Sequence, residues 1–125
     1  MLSLRERAFE QAAAVLRLHK KVSALGPEFA HIALQLVRSS SSSASMLEEA
    51  AAASSRRDMA YRQGAALREG KESKFWLRLL VAAEAPVPDL GSLLKESDEI
   101  VAMLTTSVRK LREPQAERLA GPKAR

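Results

Sequence analysis

Residues 90–112 read LGSLLKESDEIVAMLTTSVRKLR, and their apolar side chains recur at steps of three and four residues. This spacing places one continuous stripe along a single face of an α-helix. The same spacing extends over almost the whole chain, which predicts an all-α protein folded as an antiparallel up-down-up-down four-helix bundle. The stripe consists of Leu90, Leu93, Leu94, Ser97, Ile100, Val101, Leu104, Val108 and Leu111.

The composition supports the same fold class. Hydrophobic residues make up 46% of the 125 residues but aromatic residues only 4%, and alanine and leucine favour helices over sheets. The length suits one domain, which we place at residues 1–112, followed by a mobile C-terminal tail at 113–125 that contains two prolines and a glycine. The absence of cysteine excludes disulfides, thiolate metal sites and a cysteine nucleophile.

Local sequence patterns predict where the first helix begins and ends. Ser3 and Glu6 have the spacing of a capping box, so the first helix is expected to begin at Ser3 and to run to about Leu25. Gly26 and Pro27 then mark a turn, because glycine favours a helix C-terminus and proline suits the first position of the next helix.

The second helix contains the run Ser39–Ser43, which resembles a linker in composition. However, the apolar pattern resumes in phase at Ala44, Leu47 and Ala50, and neither glycine nor proline interrupts it. Small side chains also allow a neighbouring helix to approach closely. We therefore predict one unbroken helix from Pro27 to about Ala53.

The last two helices are bounded by a serine cap and by prolines. The third helix is predicted over Arg56–Ala85, with Ser55 as its cap, and the segment Pro86–Pro88 ends it. Asp89 opens the fourth helix, which ends near Arg112. The residues of the first helix expected to face the core are Leu4, Ala8, Ala12, Val15, Leu16, His19 and Val22. Those of the third helix are Met59, Gln63, Ala66, Leu67, Gly70, Leu77, Leu80 and Val81.

From residue 27 to residue 111 the chain resembles a known family. The matching positions are Leu36-Val37-Arg38-Ser39, Ser42, Glu49-Ala50, Asp58, Leu67, Glu69, Glu72, Trp76-Leu77, Leu79-Leu80 and the segment Leu93–Ile100. They resemble the four-helix-bundle proteins related to the reading frame inside intervening sequences of bacterial large-subunit ribosomal RNA. The chain departs from that family at Met46, where an asparagine is usual, and at Ala44-Ser45, which replaces Gly-Ala.

The resemblance implies an assembly and a class of partner. The family forms ring-like homopentamers. It includes the accessory protein of diversity-generating retroelements, which associates with a reverse transcriptase and with nucleic acid through a positively charged surface. The resemblance therefore implies that this chain is a homopentamer whose partners include RNA, DNA or a reverse transcriptase.

No catalytic pattern in the sequence is specific. Glu28 and His31 have the Glu-x-x-His spacing of di-iron bundles, but only one copy is present and it lies in the first turn of its helix. Ser39–Ser43 with His31 and Asp58 could supply the residue types of a serine hydrolase, but no nucleophile elbow surrounds them. We therefore expect no enzyme activity, no metal and no cofactor.

Basic residues are the stronger functional candidates, because the formal net charge is +5. They come from three segments that the predicted topology brings to one end of the bundle, where acidic residues dilute their field. Two interpretations stay open: the residues bind phosphates, or they are solvated and complement a helix dipole. The candidates are Arg5, Arg7, Arg56, Arg57, Arg62, Arg109, Lys110 and Arg112.

The third helix is apolar nearly all round at residues 75–83, which predicts burial on more than one side. Phe75, Trp76, Leu79 and Ala82 are the candidates for an oligomer interface. The alternative is that Phe75 and Trp76 pack on the first helix or the tail of their own chain.

Together these features predict a non-enzymatic homo-oligomeric adaptor that binds RNA, DNA or a nucleoprotein through backbone phosphates. The alternative is a protein-binding scaffold that uses the apolar surface of the third helix and has no nucleic-acid role. No apolar run reaches the roughly 18 residues that a membrane helix needs, so we expect no membrane partner and a cytoplasmic location.

Overall fold

The computed structural model describes residues 1–114, and these residues form four helices joined by short turns. The helices are α1 (Leu4–Ser23), α2 (Pro27–Ala51), α3 (Arg56–Ala82) and α4 (Leu90–Arg112). Each helix packs against the next one along the chain, and α1 also contacts α4 through a smaller seam. The predicted all-α four-helix bundle is therefore confirmed. The predicted tail lies outside the described residues from residue 115 onward.

The predicted caps of α1 and α3 are present. The Ser3 hydroxyl accepts from the backbone N–H of Glu6 at 3.1 Å, and the Ser3 N–H donates to the Glu6 carboxylate at 3.0 Å. That backbone hydrogen bond holds the pKa of Glu6 below its ordinary value. Ser55 accepts from the N–H of Asp58 at 3.0 Å. Asp89 precedes α4 in a left-handed conformation, and its side chain makes no capping hydrogen bond.

The serine run lies inside α2, which is unbroken from Pro27 to Ala51 as predicted. Ser39 donates to the carbonyl of Gln35 at 2.8 Å, and Ser41 donates to that of Val37 at 2.7 Å. Both hydroxyls therefore bond a carbonyl one turn back on their own helix, which satisfies them without an outside partner. The run is a helical segment and not a linker.

Two other serines of the run contact α3. The hydroxyls of Ser40 and Ser73 are 2.6 Å apart, and Ser43 donates to the carbonyl of Ala66 at 2.8 Å. A Cβ atom built on Gly70 would lie 3.4 Å from the Ser43 hydroxyl oxygen, so the two helices are already in close contact there. Small side chains at this seam allow that approach, as the sequence predicted.

The core consists of two apolar clusters separated by a polar layer. One cluster contains Val15, Val22, Ala33, Leu36, Leu77, Leu80, Leu90 and Leu93, and the other contains Ala8, Ala44, Leu47, Ala66, Ile100 and Leu104. The layer between them surrounds a cavity of about 20 Å³ lined by Gln11, Ser40, Ser43, Ser73 and Ser97, among others. Gln11 is satisfied there, because it donates to the carbonyl of Leu93 at 2.8 Å.

Two of the residues expected to face inward are exposed. Leu16 is 62% exposed and Val81 is 39% exposed. Their neighbours Val15 and Leu80 are fully buried. Successive helical residues are about 100° apart, so two neighbours cannot both point at the centre of the bundle. The prediction was wrong for Leu16 and Val81.

Three helices end earlier than predicted, at Ser23, Ala51 and Ala82. The end of α3 has a specific cause. Glu84 is left-handed with φ 55°, and the N–H of Ala85 donates back to the carbonyl of Leu80 at 3.1 Å. These bonds form a Schellman turn, which terminates the helix before the prolines are reached.

Candidate functional site

Basic residues of α3 and α4 meet at one end of the bundle. The guanidinium of Arg56 donates to the carbonyl of Lys110 at 2.5 Å. Arg112 lies over Gly64, because a Cβ atom built on that glycine would be only 2.8 Å from an Arg112 guanidinium nitrogen. The structure therefore brings together the start of α3 and the end of α4, as the topology predicted.

The two candidate arginines of α1, Arg5 and Arg7, are held by carboxylates. Arg7 contacts Glu96 at 2.6 Å and Glu99 at 2.7 Å, more than three turns before the end of α4. These hydrogen bonds raise the pKa of Arg7 and lower that of Glu96. Arg5 contacts Glu48 of α2 at 3.6 Å. Neither arginine joins the cluster formed by α3 and α4.

Arg62 is also neutralised locally. It lies 3.1 Å from Asp58 on its own helix and 2.7 Å from Glu49 at the end of α2. The hydrogen bonds that Arg62 donates to the Asp58 carboxylate are the main cause of its raised pKa. Arg62 therefore ties α3 to α2 and leaves little free charge for a ligand.

Four predicted residues keep their charge available: Arg57, Arg109, Lys110 and Arg112. All are exposed, and none forms an ion pair with another residue in the range 1–114. The last three lie in the final turn of α4, where their charge also complements the helix dipole. That stabilising role does not remove their charge from solvent.

Sequence reasoning missed a further set of residues on the outer face of α3. Arg57, Tyr61, Gly64, Arg68 and Lys71 follow one another at steps of four and three, so they lie on one face of the helix. Tyr61 is 69% exposed, and Arg68 and Lys71 are also exposed. We call this set, together with Arg112 over Gly64, the cationic row. The spacing of these residues is visible in the sequence, but we considered there only the apolar residues and the arginines near the start of α3.

Two of the three acidic residues of α3, Glu69 and Glu72, pair with a basic residue of α2. Arg38 of α2 contacts Glu69 at 3.3 Å and Glu72 at 2.5 Å. The hydrogen bond from Arg38 is the main cause of the lowered pKa of Glu72. These carboxylates face α2 and are neutralised there, so they dilute the field of the cationic row less than their number suggests.

The predicted oligomer interface divides into two parts. Phe75 is 49% exposed, and Leu79 and Ala82 are also exposed. Trp76 is half buried: its ring meets that of His31 edge-on at 6.0 Å, and its N–H donates to Glu72 at 3.1 Å. Trp76 thus packs largely against α2 of its own chain, whereas the other three side chains face outward.

A second apolar surface lies between α1 and α2 and was not predicted. It is a groove of about 460 Å³ lined by Phe9, Ala12, Ala13, Leu16, Val37, Ser41, Ala44, Ser45 and Glu48. Phe9 is 60% exposed. In the sequence, this groove corresponds to Phe9 and Leu16, two apolar residues seven positions apart and therefore on one face of α1. The structure shows that both are exposed beside the buried stripe.

The other candidate residues lie apart from the cationic row. Glu28 and His31 are exposed at the start of α2, where His31 contacts Trp76. Within the part of the chain that the structure describes, no three histidine, cysteine or acidic residues are grouped so as to hold a metal ion. None of the four helices within residues 1–114 is long and apolar enough to cross a membrane.

Comparison with known proteins gives a structural neighbour. Neither a protein-family model nor a curated protein sequence matches the chain. A crystal structure of a protein of unknown function from the S23 ribosomal protein family, from Bacteroides thetaiotaomicron VPI-5482, is similar with a TM-score of 0.75 and 26% sequence identity. The match covers 85% of this chain and 98% of that one. The all-helical fold is thus shared with a member of that family.

Proposed function

We propose that this protein is a non-enzymatic, homo-oligomeric adaptor that binds RNA or DNA, alone or within a nucleoprotein such as a reverse transcriptase complex. The observation that carries the proposal is a group of exposed cations at the α3–α4 end that form no ion pair within residues 1–114: Arg57, Arg109, Lys110 and Arg112. Unpaired cations release counterions when they meet phosphates, which supplies most of the affinity of sequence-independent binding.

The family that the sequence resembles supports the same proposal. The sequence resembles the proteins of ribosomal RNA intervening sequences and the retroelement accessory protein, and the fold is shared with a member of the S23 ribosomal protein family. The proposed ligand contact is to the phosphate backbone, to which arginine and lysine side chains donate without reading the base sequence.

The apolar surfaces support the oligomeric part of the proposal. Phe75 and Leu79 project from α3, and Phe9 and Leu16 line the groove between α1 and α2. Apolar patches on two sides of one bundle suit a head-to-tail contact between copies, which closes into a ring when the rotation permits. A pentameric ring is the form implied by the family resemblance. The same surfaces are the basis of the alternative function, a protein-binding scaffold.

Light scattering with and without a duplex RNA tests both parts in one experiment. We expect the protein alone to have the mass of several chains, and to gain mass with RNA at low salt but not at high salt, because backbone binding is salt-dependent. The mass of a single chain would remove self-association from the proposal. A mass that neither this duplex nor a single-stranded RNA changes at low salt would remove nucleic-acid binding and favour the scaffold.

A further inference from the structure

We propose that the cationic row binds single-stranded nucleic acid, with one base stacked on the ring of Tyr61 and phosphates held by the cations on either side. This inference rests on the proposed function and specifies the ligand of its surface. It adds Tyr61, Arg68 and Lys71 to the residues that contact nucleic acid.

The arrangement of the row fits an extended strand. With a rise of about 1.5 Å per helical residue, the distance along α3 from Arg57 to Lys71 is about 21 Å. Tyr61 lies one turn after Arg57 and nearly one turn before Gly64. The ring therefore has a cation on each side along the helix, with Arg57 on one side and Arg112 on the other.

Gly64 leaves room for Arg112 to lie in the row in its present position. A Cβ atom at residue 64 would be 2.8 Å from an Arg112 guanidinium nitrogen, so this flexible side chain would have to shift. A cation from α4 therefore lies at the one position of the row where α3 has no side chain. Two helices thus contribute to one line of positive charge.

An exposed tyrosine among cations favours a single strand over a duplex. The bases of a duplex are stacked on each other, so their faces cannot reach a side chain on a convex helix surface. Unpaired bases expose both faces, and stacking on aromatic side chains combined with a basic track is the usual way in which proteins bind single strands. The ring of Tyr61 is 69% exposed, which leaves it accessible for such a contact.

The test compares Tyr61→Ala and Tyr61→Phe in the full chain, with a uridine oligomer and an RNA duplex of equal phosphate number as probes. We expect Tyr61→Ala to weaken oligomer binding about tenfold, because one base–aromatic stack is lost. Tyr61→Phe should bind like the wild type, since the ring is kept. Duplex binding should be the same in all three proteins. The exposed position of Tyr61 means that neither substitution should affect folding.

A photochemical crosslink supplies a second readout. A uridine oligomer that carries iodouracil should crosslink to the tryptic peptide 58–62, which contains Tyr61 between Arg57 and Arg62. Crosslinks confined to other peptides, or equal oligomer affinity in wild type and Tyr61→Ala while both probes still bind, would overturn this inference alone. Failure of both probes to bind wild-type protein would overturn the proposed function as well.

Discussion

Replacing Ser41 by proline should lower the free energy of unfolding by about 3 kcal/mol or more, the usual effect of proline inside a helix. Ser41 lies in the middle of α2 on its exposed side. Proline there removes the backbone N–H that bonds the preceding turn, and its ring clashes with the carbonyl of Val37. In a flexible linker the same substitution would be tolerated or even stabilising.

Ser41→Ala is the matched control. Within residues 1–114 the side chain of Ser41 hydrogen-bonds only its own helix, at Val37 and Arg38, so alanine loses no hydrogen bond to another helix. We expect its stability to lie within about 0.5 kcal/mol of the wild type or slightly above it. Urea unfolding followed by circular dichroism measures both variants. Equal stability of Ser41→Pro and Ser41→Ala would mean that the serine run is not helical in solution.

The double substitution Arg109→Glu with Lys110→Glu should weaken nucleic-acid binding about a hundredfold at roughly 50 mM salt, because two phosphate contacts are lost. Both residues are exposed in the last turn of α4, and neither has an ion pair with a described residue. The reversed charges would also repel the phosphates that remain in contact with Arg57 and Arg112.

Lys20→Glu with Lys21→Glu is the control that separates the effect of where the charges lie from the effect of the change in net charge. These lysines are exposed in the last turn of α1, at the opposite end of the bundle. This control changes the net charge by the same amount as the substitutions at Arg109 and Lys110. It also places two carboxylates near a helix C-terminus, which is equally unfavourable. We expect this variant to bind within about threefold of the wild type, since the remaining effect is long-range and screened by salt. Equal losses in the two double variants would mean that net charge alone drives binding.

Most of the fold follows from the sequence because its determinants are local. The capping box at Ser3 and the in-phase apolar residues around Ser39–Ser43 depend on spacing within one helix. The exposure of Leu16 and Val81 was missed because each has an apolar neighbour, and only the packing of the bundle decides which of the two is buried.

The candidate site was less predictable, because ion pairs depend on the register between helices. Nothing in the sequence indicates that Arg7 meets Glu96 or that Arg62 meets Glu49. The structure separates these neutralised arginines from Arg57. Tyr61 could have been found from its spacing to Arg57 and Arg68, but the role of Gly64 in admitting Arg112 required the contact between α3 and α4.

Arg57 and Arg62 provide the most direct test of the claim that pairing decides which cations bind phosphates. They lie five residues apart on α3, and each loses one charge on substitution by glutamine. The measurement is the slope of log affinity against log salt for duplex DNA. We expect Arg57→Gln to reduce the slope by about one and Arg62→Gln to leave it unchanged. Equal changes in slope for the two variants would contradict this account.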